Sequence, residues 1–81
     1  MNMAEHKVVV ACYDANGIPV LRAVSVECTG AEYADGEHYL AAEDWAMNCG
    51  YEAPMVFFDE ADMPEPLVRY FTWDLTSEVR V

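Results

Sequence analysis

The chain has 81 residues, and 15 aspartates and glutamates against four lysines and arginines give a formal net charge of −11 at pH 7. This charge argues against direct binding to nucleic acid or to an anionic membrane, because both ligands need a cationic protein surface. A hydrophobic fraction of 54% argues against a disordered chain, and the length predicts a single domain over residues 1–81.

Two strands joined by a tight turn are predicted at the start of the chain. Residues 7–13 and 18–27 are rich in β-branched and apolar side chains, and the sequence DANG at 14–17 separates them. An Asn-Gly pair between two such runs is a strong β-hairpin signal, because both residue types tolerate a positive φ. Alternation in the second run, interrupted by Arg22, predicts one mostly buried face.

One main helix is predicted in the middle of the chain. Thr29 and Glu32 have capping-box spacing, so a helix can begin near residue 30, with Asp35-Gly36 as a second start or a break. Residues 37–49 are rich in helix formers and precede Gly50, which suits a helix end. The side expected to face the sheet consists of His38, Tyr39, Ala42, Trp45, Ala46 and Cys49.

The second half of the chain is predicted to return to the sheet. Residues 55–58 are a short apolar run, residues 59–66 are predicted to be an acidic loop, and residues 67–73 are predicted to be a strand. Residues 75–81 alternate and predict a continuation or an edge strand. The expected fold is α+β in ββαββ order, an antiparallel sheet of four to five strands with one main α-helix packed on one face.

The acidic residues are concentrated in the middle of the sequence. Residues 23–68 contain eleven of the fifteen acids and no lysine or arginine. The basic residues outside this block are Lys7, Arg22, Arg69 and Arg80. Self-repulsion of such a block destabilises a compact domain, so the block either keeps the protein soluble or forms a working surface.

A partner-binding surface is predicted on the helix and on the loop after the third strand. Leu40 and Met47 share one side of the helix between carboxylates, which favours a docking site; the alternative is that both contact a loop. A helix over 37–49 would present acids along about 20 Å, enough to enter a basic groove. The predicted partner-binding residues are Glu37, Leu40, Glu43, Asp44, Met47, Asp59, Glu60, Asp62 and Glu65.

Catalytic and metal chemistry are not favoured. His6 and His38 are far apart and no C-x-x-C motif exists, which argues against structural zinc, and the acidic run at 59–65 lacks a calcium-loop pattern. His38 is expected to be a satisfied buried histidine, and the cysteines at 12, 28 and 49 are expected to be reduced core thiols. We therefore expect no enzyme activity, no cofactor and no specific metal site, and we leave open the weak binding of divalent cations by residues 59–65.

In size, acidity and ββαββ order, the chain resembles the small anti-CRISPR proteins that phages and mobile elements use against bacterial defence. The resemblance lies in residues 24–62, VSVECTGAEYADGEHYLAAEDWAMNCGYEAPMVFFDEAD, which are predicted to form a strand, an acidic helix and a returning strand. It implies a non-enzymatic protein that binds a CRISPR effector complex and obstructs guide or target DNA engagement.

Two functional hypotheses follow. The first is an acidic inhibitor that binds a basic nucleic-acid-binding protein and blocks its engagement of DNA or RNA. The alternative is a small protein-interaction module, with a homodimer as one form, that docks through apolar and aromatic residues while its acidity serves solubility. The lack of a long apolar run, and a start (MNMAEHKVVV) unlike a leader, predict a cytoplasmic protein, in a bacterial host if a phage encodes it.

Overall fold

The computed structural model describes residues 3–73 and 79–81, without the side chains of Glu60 and Arg80. Strands β1 (Met3–Tyr13) and β2 (Pro19–Thr29) pair antiparallel over their whole length. In the turn between them, Asp14 Oδ1 accepts the backbone N–H groups of Asn16 at 2.8 Å and Ile18 at 2.9 Å. Gly17 adopts a φ of 75°, which an L side chain would strain. The predicted hairpin is confirmed.

Two helices follow β2 in place of one. Helix α1 (Gly30–Ala34) begins at a complete capping box, in which the Thr29 N–H donates to Glu32 Oε1 at 2.8 Å and the Glu32 N–H donates to Thr29 Oγ1 at 3.2 Å. Helix α2 (Glu37–Asn48) begins after Gly36, whose φ of 77° lies in the left-handed region. The backbone conformation at Gly36 therefore separates the helices at the break that the sequence offered.

The sheet is mixed. Strand β3 (Glu52–Phe57) pairs antiparallel with β1, whereas β4 (Thr72–Trp73) and β5 (Val79–Arg80) pair parallel with β2. The order is β3-β1-β2-β4, with β5 farther along β2. The α+β class is confirmed, but the antiparallel ββαββ arrangement is wrong. Parallel neighbours require crossover connections, and the chain from β3 to β4 crosses one face of the sheet.

Residues 67–73 were expected to be a strand; this prediction is wrong at 67–70, which are helical, and is confirmed at Thr72–Trp73, which form β4. The chain forms a 3₁₀ turn (Glu60–Asp62) and helix α3 (Glu65–Tyr70), so the described residues contain three α-helices rather than one main helix. Pro66 suits the first turn of a helix, and Leu67 and Phe71, four residues apart, both pack on the sheet. The strand predicted over 75–81 is described only at 79–81, because residues 74–78 lie outside the described residues.

Both faces of the sheet are covered at their centre. Helix α2 packs on one face, where the buried residues are Val8, Val10, Cys12, Val20, Val24, Val26, Ala42 and Ala46. The opposite face is covered by residues from the β3–β4 crossover, and its buried residues are Val9, Ala11, Leu21, Met63 and Phe71. Among the helices of the described residues, none has the length and apolar character needed to cross a membrane.

The side of α2 that faces the sheet is as predicted, apart from its last member. His38, Ala42 and Ala46 are buried, and Tyr39 and Trp45 are half-buried. Cys49 is exposed because α2 ends at Asn48, so the prediction that all three cysteines are core thiols is wrong at this position, while Cys12 and Cys28 are buried.

Candidate partner-binding surface

The outer side of α2 carries two exposed apolar side chains. Leu40 is 61% exposed and Met47 is 58% exposed. They are seven residues apart, which is about two helical turns or 10.5 Å along the axis. The buried residues of α2 lie on the opposite side, so these two side chains point away from the sheet. An exposed pair of this kind is available to a partner.

Carboxylates flank this apolar pair. Glu37, Glu43 and Asp44 are all exposed, with Glu43 on one flank and Glu37 and Asp44 on the other. Glu37 lies in the first turn of α2, where the helix dipole favours a negative charge, and the last turn contains no basic residue. The result is an apolar centre within an acidic border, hereafter called the α2 surface.

The acids after β3 do not extend the α2 surface as one row. Asp59 lies beside His38, near the first turn of α2, and burial together with the Asp62 carboxylate raises the pKa of Tyr39. Met63, by contrast, is buried on the opposite face of the sheet, and Glu65 begins α3 there. Asp59 also lines a pocket with Met63 and Glu65, so the predicted acids run from the side of α2 to the side of α3 and do not form one row on α2.

The carboxylate of Glu65 lies 2.7 Å from the guanidinium of Arg69 in an exposed ion pair, so its charge is locally balanced. The Glu60 side chain lies outside the described part of the structure. The carboxylates of Asp59 and Asp62 are exposed.

Arg22 contributes little to the cationic surface because it is only 9% exposed. Its guanidinium donates a hydrogen bond to the Tyr51 hydroxyl and lies 5.5 Å from the ring centroid of Trp45. The interruption of an apolar face at Arg22 was the sequence signal for this contact. Burial of Arg22 therefore removes one cation from the exposed surface, whereas the Arg69–Glu65 pair leaves the net surface charge unchanged.

A histidine and aromatic cluster was missed by sequence reasoning. Tyr33 stacks on His6 with ring centroids 4.2 Å apart and on His38 at 4.6 Å. The ring centroid of Phe58 lies 4.7 Å from that of Tyr39 and 5.7 Å from that of His38. The rings come from β1, α1, α2 and the residue after β3. The sequence signal for this cluster was the aromatic content near residues 33–39. His6 is distant in sequence and comes close to these rings only because β1 pairs in the sheet.

His38 is buried as predicted but is not satisfied. It is 1% exposed, and neither ring nitrogen has a hydrogen-bond partner among the described residues; Nε2 of His6 is in the same situation. Burial, followed by repulsion from His6, lowers the pKa of His38 below its ordinary value. The imidazole of His38 is therefore held in its neutral form.

A cavity of about 430 Å³ opens beside this cluster. It lies between β1, α1, the first turn of α2 and the residues after β3. Its lining is formed by Glu5, His6, Lys7, Tyr33, His38, Phe58 and Asp59. In residues 3–73 and 79–81, no group of three or more His, Cys, Asp or Glu side chains is arranged to hold a metal ion.

No protein-family model, curated protein or solved structure matches this chain.

Proposed function

We propose that this protein is a non-enzymatic binding protein that docks on a basic, nucleic-acid-binding partner and blocks the partner's engagement of DNA or RNA. The observation that supports this proposal is the α2 surface, where Leu40 and Met47 are 61% and 58% exposed within a border of carboxylates. Apolar anchors surrounded by polar residues are typical of protein interfaces. The acidic border selects a basic surface.

The number of charges on α2 indicates whether the α2 surface binds by imitating DNA or through its apolar pair. Duplex DNA carries a negative charge about every 1.7 Å, so a segment as long as α2, about 18 Å, carries about ten. The outer side of α2 presents three carboxylates, Glu37, Glu43 and Asp44. Charge on this helix is too sparse to imitate DNA by itself. The apolar pair provides the anchor, and the net charge of −11 steers the encounter.

A CRISPR effector complex is the first partner to test, because the resemblance to anti-CRISPR proteins implies it. Such a complex is rich in lysine and arginine where it holds guide and target strands. In this proposal the protein acts in the cytoplasm of a bacterial host. Its presence on the effector excludes target DNA from the basic channel.

The test combines partner capture with two kinds of variant. The immobilised protein is exposed to a nuclease-treated bacterial lysate containing a CRISPR effector, and inhibition of target DNA binding by that effector is measured. Leu40→Asp, and Glu43→Lys with Asp44→Lys, should both abolish inhibition. Glu27→Lys with Glu52→Lys, the same change in net charge at exposed positions outside α2, should retain it at moderate salt.

The results of this experiment distinguish inhibition by net charge from inhibition through the α2 surface. Equal loss in the α2 variants and in the control pair would show that net charge acts without a defined site. Full inhibition by Leu40→Asp and by the double lysine variant of α2 would contradict the proposal.

A homodimer through the same surface is the second candidate, favoured by the exposure of Leu40 and Met47. Two copies would bury these side chains against each other, although facing acidic borders would repel. Sedimentation velocity at low and high salt tests this arrangement. A dimer that forms at high salt and is lost in Leu40→Asp would support it, and a monomer under both conditions would exclude it.

A further inference from the structure

The cavity beside the histidine and aromatic cluster has the size of a site for one side chain or small ligand. Its volume of about 430 Å³ lies within the range of ordinary ligand pockets. The cavity is separate from the exposed apolar pair of the α2 surface, because His38 and Tyr39 lie on the side of α2 that faces the sheet. A bound partner could therefore reach both.

The walls of the cavity suit a flat cation. Phe58 is 51% exposed and Tyr33 is 40% exposed, so part of each ring remains accessible to a ligand. A guanidinium group stacks on aromatic faces and is weakly hydrated for a cation. Aromatic walls next to a carboxylate, here Asp59, form a typical environment for such a group.

The charge of the lining has the matching sign. Two carboxylates, Glu5 and Asp59, accompany one ammonium group, Lys7, which gives the lining a formal charge of −1. The whole protein carries −11, so its field favours a cationic ligand over a phosphate or a carboxylate.

The histidines favour a ligand that donates hydrogen bonds. His38 is 1% exposed and lines the cavity with both ring nitrogens unpaired among the described residues. Each of these nitrogens exposes less than 1 Å² of surface, so a ligand N–H reaches one of them only when the rings around it shift. A guanidinium has five N–H donors and no acceptor, so it is complementary to imidazole and carboxylate acceptors.

We propose that this cavity binds one arginine side chain of the basic partner, with the guanidinium against Phe58 and Tyr33 and hydrogen-bonded to the Asp59 carboxylate. The proposal rests on the proposed function and adds to it a defined anchor on the partner. Steering by net charge brings the partner close, the α2 surface docks it, and the cavity fixes the register through one residue.

The probe is N-acetyl-arginine amide, and its matched control is N-acetyl-citrulline amide, which has nearly the same shape without the charge. Each is titrated into the ¹⁵N-labelled protein to tens of millimolar while amide shifts are recorded. We expect saturable shifts centred on Tyr33, Phe58 and Asp59 with the arginine probe. Binding of citrulline should be weaker by about tenfold or more, because it lacks the charge-assisted contact.

Variants of exposed residues test the site without disturbing the core. Asp59→Asn and Phe58→Ala should each weaken arginine binding by about tenfold, whereas Asp35→Asn, an exposed control, should leave it unchanged. Dispersed amide spectra verify that each variant is folded. Equal binding of citrulline, unchanged binding in Asp59→Asn, shifts centred on the outer side of α2, or no shifts at all would overturn the proposal.

The two proposals fail separately. Glu43→Gln with Asp44→Asn should weaken partner binding and leave arginine binding in the cavity intact. Absence of arginine binding, with partner binding still dependent on Glu43 and Asp44, would refute the cavity alone. Arginine binding without any effect of these two residues on the partner would refute the α2 surface alone.

Discussion

The Arg22 guanidinium on β2 donates a hydrogen bond to the hydroxyl of Tyr51, in the connection between α2 and β3. It also lies 5.5 Å from the ring centroid of Trp45 and 5.7 Å from that of Tyr51. A buried cation is costly unless hydrogen bonds and aromatic faces replace its water. This contact therefore joins the middle of the sheet to the end of α2. Arg22, which interrupts the apolar pattern of β2, thus has a structural role.

Tyr51→Phe should lower the free energy of unfolding by about 1.5 to 3 kcal/mol, the range for a lost hydrogen bond to a charged group. The reason is that Arg22 would lose an acceptor while its side chain stays 9% exposed. Urea unfolding measures the change. Tyr33→Phe, at a ring that is 40% exposed, should change stability by less than about 0.5 kcal/mol. Equal effects in both variants would contradict a special role for the Arg22 contact.

Stability should fall on acidification because of His38. Its folded-state pKa lies below the ordinary value of 6.5, so the unfolded chain binds more protons once the pH drops below that value. The stabilisation is fully present above pH 6.5 and is lost progressively until the pH reaches the folded-state pKa. Urea unfolding between about pH 7.5 and about pH 5.5 should show this decline.

His38→Phe is the matched variant, because it keeps an aromatic ring beside Tyr33 and Tyr39 while removing the titrating group. The decline in the free energy of unfolding over this pH range should become smaller, and whatever remains reflects other groups. If the free energy of unfolding falls equally with pH in the wild-type protein and in His38→Phe, burial of His38 has no effect on the pH dependence.

Leu40 and Met47 should matter little for folding. Leu40→Ser and Met47→Ser are each expected to change the free energy of unfolding by less than about 0.5 kcal/mol, since both side chains are mostly exposed. Leu21→Ala, at a side chain that is 1% exposed, should cost about 2 to 5 kcal/mol. Chemical denaturation compares the three variants. A large loss in either serine variant would mean that something covers the α2 surface.

Alanine substitutions at Gly36 and Gly30 test the effect of backbone conformation on stability. An added Cβ meets no atom within 4 Å at either position, but Gly36 has a φ of 77°. Gly36→Ala should therefore cost about 1 kcal/mol through the left-handed backbone. Gly30→Ala, in the first turn of α1, should be neutral or stabilise by about 0.5 kcal/mol. Thermal unfolding of both variants checks the prediction, and equal changes would contradict it.

Added NaCl should stabilise the protein. Repulsion among the 15 acidic residues opposes the compact state, and salt screens it over about 10 Å at 0.1 M. Thermal unfolding in low and moderate NaCl should show a higher midpoint in the latter. The rise should be smaller in Glu43→Gln with Asp44→Asn, which removes two of the charges. No rise in the wild-type protein would show that the acids are too far apart to repel.

Features that depend on close neighbours along the chain could be predicted from the sequence alone. The DANG turn, the capping box of Thr29 and Glu32, and the break at Gly36 require only contacts within a few residues. The helical period placed Leu40 and Met47 on one side of the helix, and the structure then showed that they are 61% and 58% exposed. The location of the acidic block is a property of the sequence and needs no structure.

The remaining features depend on residues distant in sequence, so tertiary packing was needed to fix them. Residues 67–73 have the composition of a strand, yet most of them are helical because a helix places Leu67 and Phe71 together on the second face of the sheet. Packing of that crossover then makes β4 parallel to β2. In the same way, strand pairing and helix packing bring His6 beside His38, which no local pattern connects. Covering both faces of one small sheet outweighed local strand propensity.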